Sequence, residues 1–150
     1  MAQNLTYRDI VDEFKAACDA HIAIASFESG TIDFLDASAV NRLYPYIFLR
    51  PTQTLQAPNQ RTLSFELYSL DIPRLSGGSN IDVISNTETY LWDLMAWFNV
   101  GTTERQQTYD IVMNTAIPVN EAFQDRVFGW MGNIDVITPF ALDYCNYPQL

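Results

Sequence analysis

Apolar residues recur every three or four positions in two stretches of this chain and every second position in several others. In the first stretch Tyr7, Ile10, Val11, Phe14, Ala17, Cys18 and His21 follow the i, i+3, i+4, i+7 rule of one helix face. Arg8, Asp12, Lys15 and Asp19 fall on the opposite side. Thr6 with Asp9 three residues on makes a capping box in its acidic form, so the pattern predicts a helix over residues 6–21. In the second stretch Leu91, Leu94, Met95, Phe98 and Trp92 make a broad apolar stripe. Ser85 and Glu88 form a full capping box ahead of it, and Gly101 follows where a left-handed residue closes a helix. A helix over residues 85–100 is predicted.

The period-two segments lie between and after these helices. Residues 22–27 read either as a short extended piece or as a last helical turn, and the irregular stretch 28–42 as a long loop with one helical turn. Residues 44–50 are dense in aromatic and aliphatic side chains and bounded by Pro45 and Pro51, which mark strand ends or edges. Residues 51–60 have no apolar period and two prolines, which predicts an extended hairpin loop. In residues 61–72, Leu63, Phe65 and Leu67 alternate with Ser64 and Glu66. Tyr68, Leu70 and Ile72 then change faces, as a bulge or burial on both sides requires.

Residues 73–83, with Gly77 and Gly78, read as a linker, and residues 106–119 as a strand with Pro118 near its end. Residues 126–138 alternate, with Phe128, Trp130, Ile134 and Val136 on one side, and Pro139 ends the run. Gly129 and Gly132 are expected on the other side, leaving room for close backbone approach. The aromatic tail, residues 140–150, is expected to pack back on the domain or on a neighbour. The fold class is therefore α+β: one domain over residues 1–150, an antiparallel sheet of four to five strands flanked by two main helices.

Composition narrows the function. Hydrophobic content of 48% and aromatic content of 13% supply a core. Eight basic residues stand against eighteen acidic ones, and the net charge of −10 would repel a polyanion, so specific nucleic-acid binding is not expected. No apolar run approaches the roughly 18 residues of a membrane span, and no secretory signal is visible. Cys18 and Cys145 are far apart and read as free thiols in a reducing compartment. His21, the one histidine, ends a helix stripe, where the carbonyl end of the dipole favours it structurally. Asp33, Asp36, Asp71, Asp82, Asp135 and Asp143 carry no spacing that signals an acid–base pair, and no EF-hand spacing appears. Trp92, Trp97 and Trp130, with Tyr44, Tyr46, Phe48 and Phe128, fit core or subunit interface better than a ligand pocket. No enzyme activity, cofactor or metal is expected.

In this order of elements the whole chain resembles the tail terminator (tail completion, or neck) proteins of tailed bacteriophages. The likeness rests on the N-terminal helix, the strand entered through Tyr44, Pro45, Tyr46, Ile47 and Phe48, the second strand to Ile72, and the helix headed by Ser85 and Glu88. The closing run Arg126 to Trp130, then Ile134 to Pro139, is similar to the last strand of such proteins. The loop 28–42 and the tail 140–150 depart from that layout and fit a head–tail adaptor instead.

The resemblance implies a ring homo-oligomer, a hexamer, that caps the tail tube and meets the connector. It implies a virion location after assembly in the host cytoplasm, and DNA passing through the ring without specific binding. It carries no catalytic residue. A non-catalytic ligand- or peptide-binding module is the alternative. The two loops, 51–60 and 73–83, are expected to order against neighbours, which nominates Pro51, Thr54, Leu55, Pro58, Arg74 and Leu75 as assembly contacts, with Tyr144 and Tyr147 from the tail. The arginines are expected mostly at subunit joints, where a guanidinium pairs bidentately with a carboxylate.

Overall fold

The computed structural model describes residues 5–31, 43–73, 80–100, 109–122 and 127–140. The element order is α1 (Tyr7–Ala20), β1 (Ser26–Ser29), β2 (Tyr46–Ala57), β3 (Gln60–Asp71), α2 (Asn80–Val100), β4 (Asp110–Ala122) and β5 (Val127–Pro139). The capping box at α1 forms as expected: the Asp9 amide donates to Thr6 Oγ1 at 3.2 Å and the Thr6 amide donates to the Asp9 carboxylate at 2.8 Å. These bonds from Thr6, backbone first and then hydroxyl, hold the Asp9 carboxyl below its usual range. Ile10, Phe14, Ala17 and Cys18 form the buried face.

Helix α2 begins at Asn80, ahead of the expected cap. Val83 and Thr87 are buried in line with Leu91, Leu94, Met95 and Phe98, so the apolar stripe extends upstream and keeps the chain helical. Ser85 and Glu88 are therefore interior and cap nothing. The Ser85 carbonyl accepts from the Thr89 hydroxyl at 3.1 Å, and Glu88 accepts from the Trp92 indole at 3.4 Å. Trp92 is 52% exposed, off the stripe, and Trp97 packs against the core instead. The expected linker 73–83 thus gives its last residues to a helix.

The five strands form one sheet in the order β1-β2-β3-β5-β4. Three pairings are antiparallel; β1 lies parallel to β2, so the sheet is mixed rather than purely antiparallel. The open choice at residues 22–27 is decided for an extended piece, β1, which also takes the start of the expected loop. The expected hairpin loop 51–60 is mostly strand. Ala57 pairs with Gln60, leaving Pro58 and Asn59 as the turn, and Asn59 takes φ 60°, a left-handed value that asparagine tolerates better than most residues. The ladder absorbs Pro51 through a register shift between Pro51 and Gln53. Exposure hid this strand from periodicity, because a segment with no buried face has no apolar alternation.

Both helices lie on one face. Ile47, Leu49, Leu63, Phe65, Leu67, Ile111, Ile134 and Val136 meet the buried faces of α1 and α2 in the main core. Phe14 and Phe98 join the helices at 4.7 Å between ring centroids, and the Trp130 indole donates to the Ile84 carbonyl at 2.8 Å. The other face holds a second cluster of Tyr46, Phe48, Tyr68, Leu70 and Val127. The change of faces along residues 61–72 is thus two-sided burial; β3 runs without a bulge against β5. Gly132 is on the helix side, under Met113, rather than with Gly129. At Gly129 a Cβ would sit 1.9 Å from the Ser69 carbonyl oxygen, so only glycine allows this approach.

Leu94→Ala, at a position 1% exposed, is expected to cost about 2–5 kcal/mol in denaturant unfolding. Gly129→Ala must displace β3 backbone, and a loss of about 1–3 kcal/mol or more is expected in the same measurement. A neutral result at either site would contradict the packing.

Candidate functional site

The expected assembly contacts fall into two groups. Pro51, Thr54 and Leu55 lie on the outer part of β2 and Pro58 at its turn, all exposed, so the fold brings them onto one edge of the sheet, beyond the end of β1. Arg74, Leu75, Tyr144 and Tyr147 lie outside the described residues. This part of the sheet is anchored from the helix side. Tyr7 stacks on Phe65 with centroids 6.0 Å apart, and its hydroxyl meets the Ser29 hydroxyl. The Arg61 guanidinium donates to the Leu5 carbonyl and lies 4.7 Å over the Phe140 ring.

Arg50 is also occupied within the chain: it donates to Glu66 at 2.8 Å, and Tyr68 donates to the same oxygen. Glu66 raises the Arg50 pKa by this bond and its charge. Burial, then the bond to Glu66, pushes the Tyr68 phenol up to about 12. Two of the arginines expected at subunit joints therefore serve the protomer. Further along the same sheet face Asp135 accepts from Ser64 at 2.6 Å and from Asn114 at 2.7 Å, which makes it a cross-strand tie.

Among the described residues, hollows border the sheet at two places of interest. One, of about 210 Å³, is lined by Tyr7, Thr52, Thr54, Leu63 and Phe65, where β2 passes beyond β1. That is below the roughly 300–1,000 Å³ of ordinary ligand pockets. The other, of about 310 Å³, brings Asp71 and Asp82 together with Asn86 and Tyr90. Among the described residues no three His, Cys, Asp or Glu side chains gather as a metal site. Asp33, Asp36, Asp143 and Cys145 lie outside the described residues. No helix among the described residues is long and apolar enough to cross a membrane.

His21 works as a joint between helices. Its Nδ1 accepts from the Ala23 amide at 3.0 Å, which places the neutral ring's proton on Nε2, 2.8 Å from the Asp93 carboxylate. Its ring also meets Tyr90 edge-on at 5.4 Å. All of its bonding thus goes to α2 and the turn after α1. Residues the sequence pattern did not single out include Val112 and Ile117 on β4, 45% and 50% exposed. Their signal was the absence of any charge between Ile111 and Val119 in an acidic chain.

Burial first, then Asp19, pushes the Cys18 thiol up to about 12. With Cys145 replaced by Ser, the native protein at pH 8 is expected to resist thiol reagents on the timescale in which the unfolded chain reacts completely; fast labelling would place Cys18 at the surface. In comparison with known protein families and with curated proteins, the chain matches none.

Proposed function

We propose that this chain is a virion structural subunit of the head–tail junction, closing into a ring that caps the tail tube and joins it to the connector. The exposed outer half of β2, with its turn, carries the reading. It extends beyond β1, its side chains from Pro51 to Gln60 are all exposed, and Leu55 is 56% exposed. A strand edge with nothing of its own to cover, held in place by its ladder with β3, by Tyr7 over Phe65 and by Arg61 beside the turn, suits contact with other proteins. The net charge of −10 keeps free subunits apart and weakens any hold on DNA crossing the ring. Copies of itself, the tail tube and the connector are the partners in this reading; the hexameric number and the virion location rest on the resemblance alone.

Native mass and negative-stain microscopy of the purified chain test it. Closed rings that are whole multiples of the 17.1 kDa subunit are the expected outcome. A chain that stays monomeric at high concentration, with or without tail-tube protein, would remove the proposal.

A further inference from the structure

Both edges of the sheet are open among the described residues, and each has a long uncharged stretch. Strand β1 pairs only with Tyr46, Ile47, Phe48 and Leu49 of β2, so from Arg50 to Ala57 no described strand lies on the outer side. Strand β4 has no described outer partner along its length. Residues 51–57 (PTQTLQA) and 111–119 (IVMNTAIPV) contain no charged side chain. Soluble proteins commonly guard open edges with charge, lysine above all. In a chain of net charge −10, whose copies repel, the two edges are where repulsion is least.

Two further observations select the partner. Leu55 pairs with Thr62, which pairs with Ile137; Val112 pairs with Asp135 and Ile117 with Met131. All three exposed apolar residues therefore project from the sheet face opposite the helices. Strand directions agree as well. β2 is antiparallel to β3, β3 to β5 and β5 to β4, so β2 and β4 run in opposite senses. A second copy continuing the sheet in the same sense would set its β4 antiparallel to the free part of β2.

We propose that residues 50–57 of one copy pair with residues 110–117 of the next, making one sheet continuous across the subunit joint. This rests on the ring reading above and specifies its contact. The ladder has natural limits. With Leu55 opposite the next copy's Val112, Ala57 meets Asp110 and Arg50 meets Ile117. Pro118, which has no amide to donate, falls at the point where β1 already occupies β2. The joint is head-to-tail, so it closes into a ring when the rotation per subunit allows.

The test uses the full chain. Leu55→Lys is expected to abolish rings and leave a folded monomer with an unchanged Tm, while Leu55→Val retains rings. In a Cys145→Ser background, Leu55→Cys with Val112→Cys is expected to yield a disulfide ladder up to the ring size on non-reducing gels, and neither single variant should. If wild-type rings persist in Leu55→Lys and the double-cysteine protein stays uncross-linked, the contact is wrong and the ring reading stands. Dimers from Leu55→Cys alone would mean two-fold pairing of β2 with itself and overturn the head-to-tail joint. A wild-type chain that forms no rings removes the ring reading itself.

Discussion

Strand β3 is the element on which the other layers depend. It is hydrogen-bonded to β2 on one side and to β5 on the other from Gln60 to Asp71, and its side chains are needed on both faces. Leu63, Phe65 and Leu67 receive the helices, whereas Tyr68 and Leu70 belong to the second cluster. A one-residue slip of this strand would exchange the two sets, turning its apolar side chains out of both clusters together. The register is held most tightly at Gly129, where β5 and the Ser69 carbonyl approach too closely for any side chain.

From that strand outward, stability and availability divide the molecule. The base of the sheet is buried on both faces and tied to α2 by Trp130 and to α1 through Phe14 and Phe98. The outer part of β2 contributes little apolar burial, so its order comes from the ladder with β3 and from the anchors at Tyr7 and Arg61. Polar pairs rather than packing organise the sheet face beside it: Arg50 with Glu66, and Ser64 and Asn114 with Asp135. The segments that cost least to present to another protein are thus extended, uncharged and paired on one side only.

The titratable groups fit the same division. Cys18 is kept neutral by burial, His21 is committed to Asp93 and Ala23, and Asp135 is spent on cross-strand bonds. Each has a structural task in place. The ring subunit proposed above would need such an arrangement, since its work would be to present strand edges and surfaces of fixed shape.

Local chemistry alone determined α1, whose cap and stripe lie within one continuous segment, and the core positions of α2 from Leu91 to Phe98. It also determined that residues 61–72 are strand, while the choice between a bulge and burial on both sides was left to the tertiary structure. The tertiary structure decided the rest. The upstream start of α2 depended on Val83 meeting the sheet, which outweighed a locally sound cap at Ser85. The outer half of β2 was invisible to periodicity because its order comes from backbone pairing with β3, and pairing leaves no mark on an exposed sequence. The parallel placement of β1, and the shared face of Leu55, Val112 and Ile117, likewise arise only when segments distant in the chain are set side by side, since register across a sheet is a property of pairs of strands and not of either one.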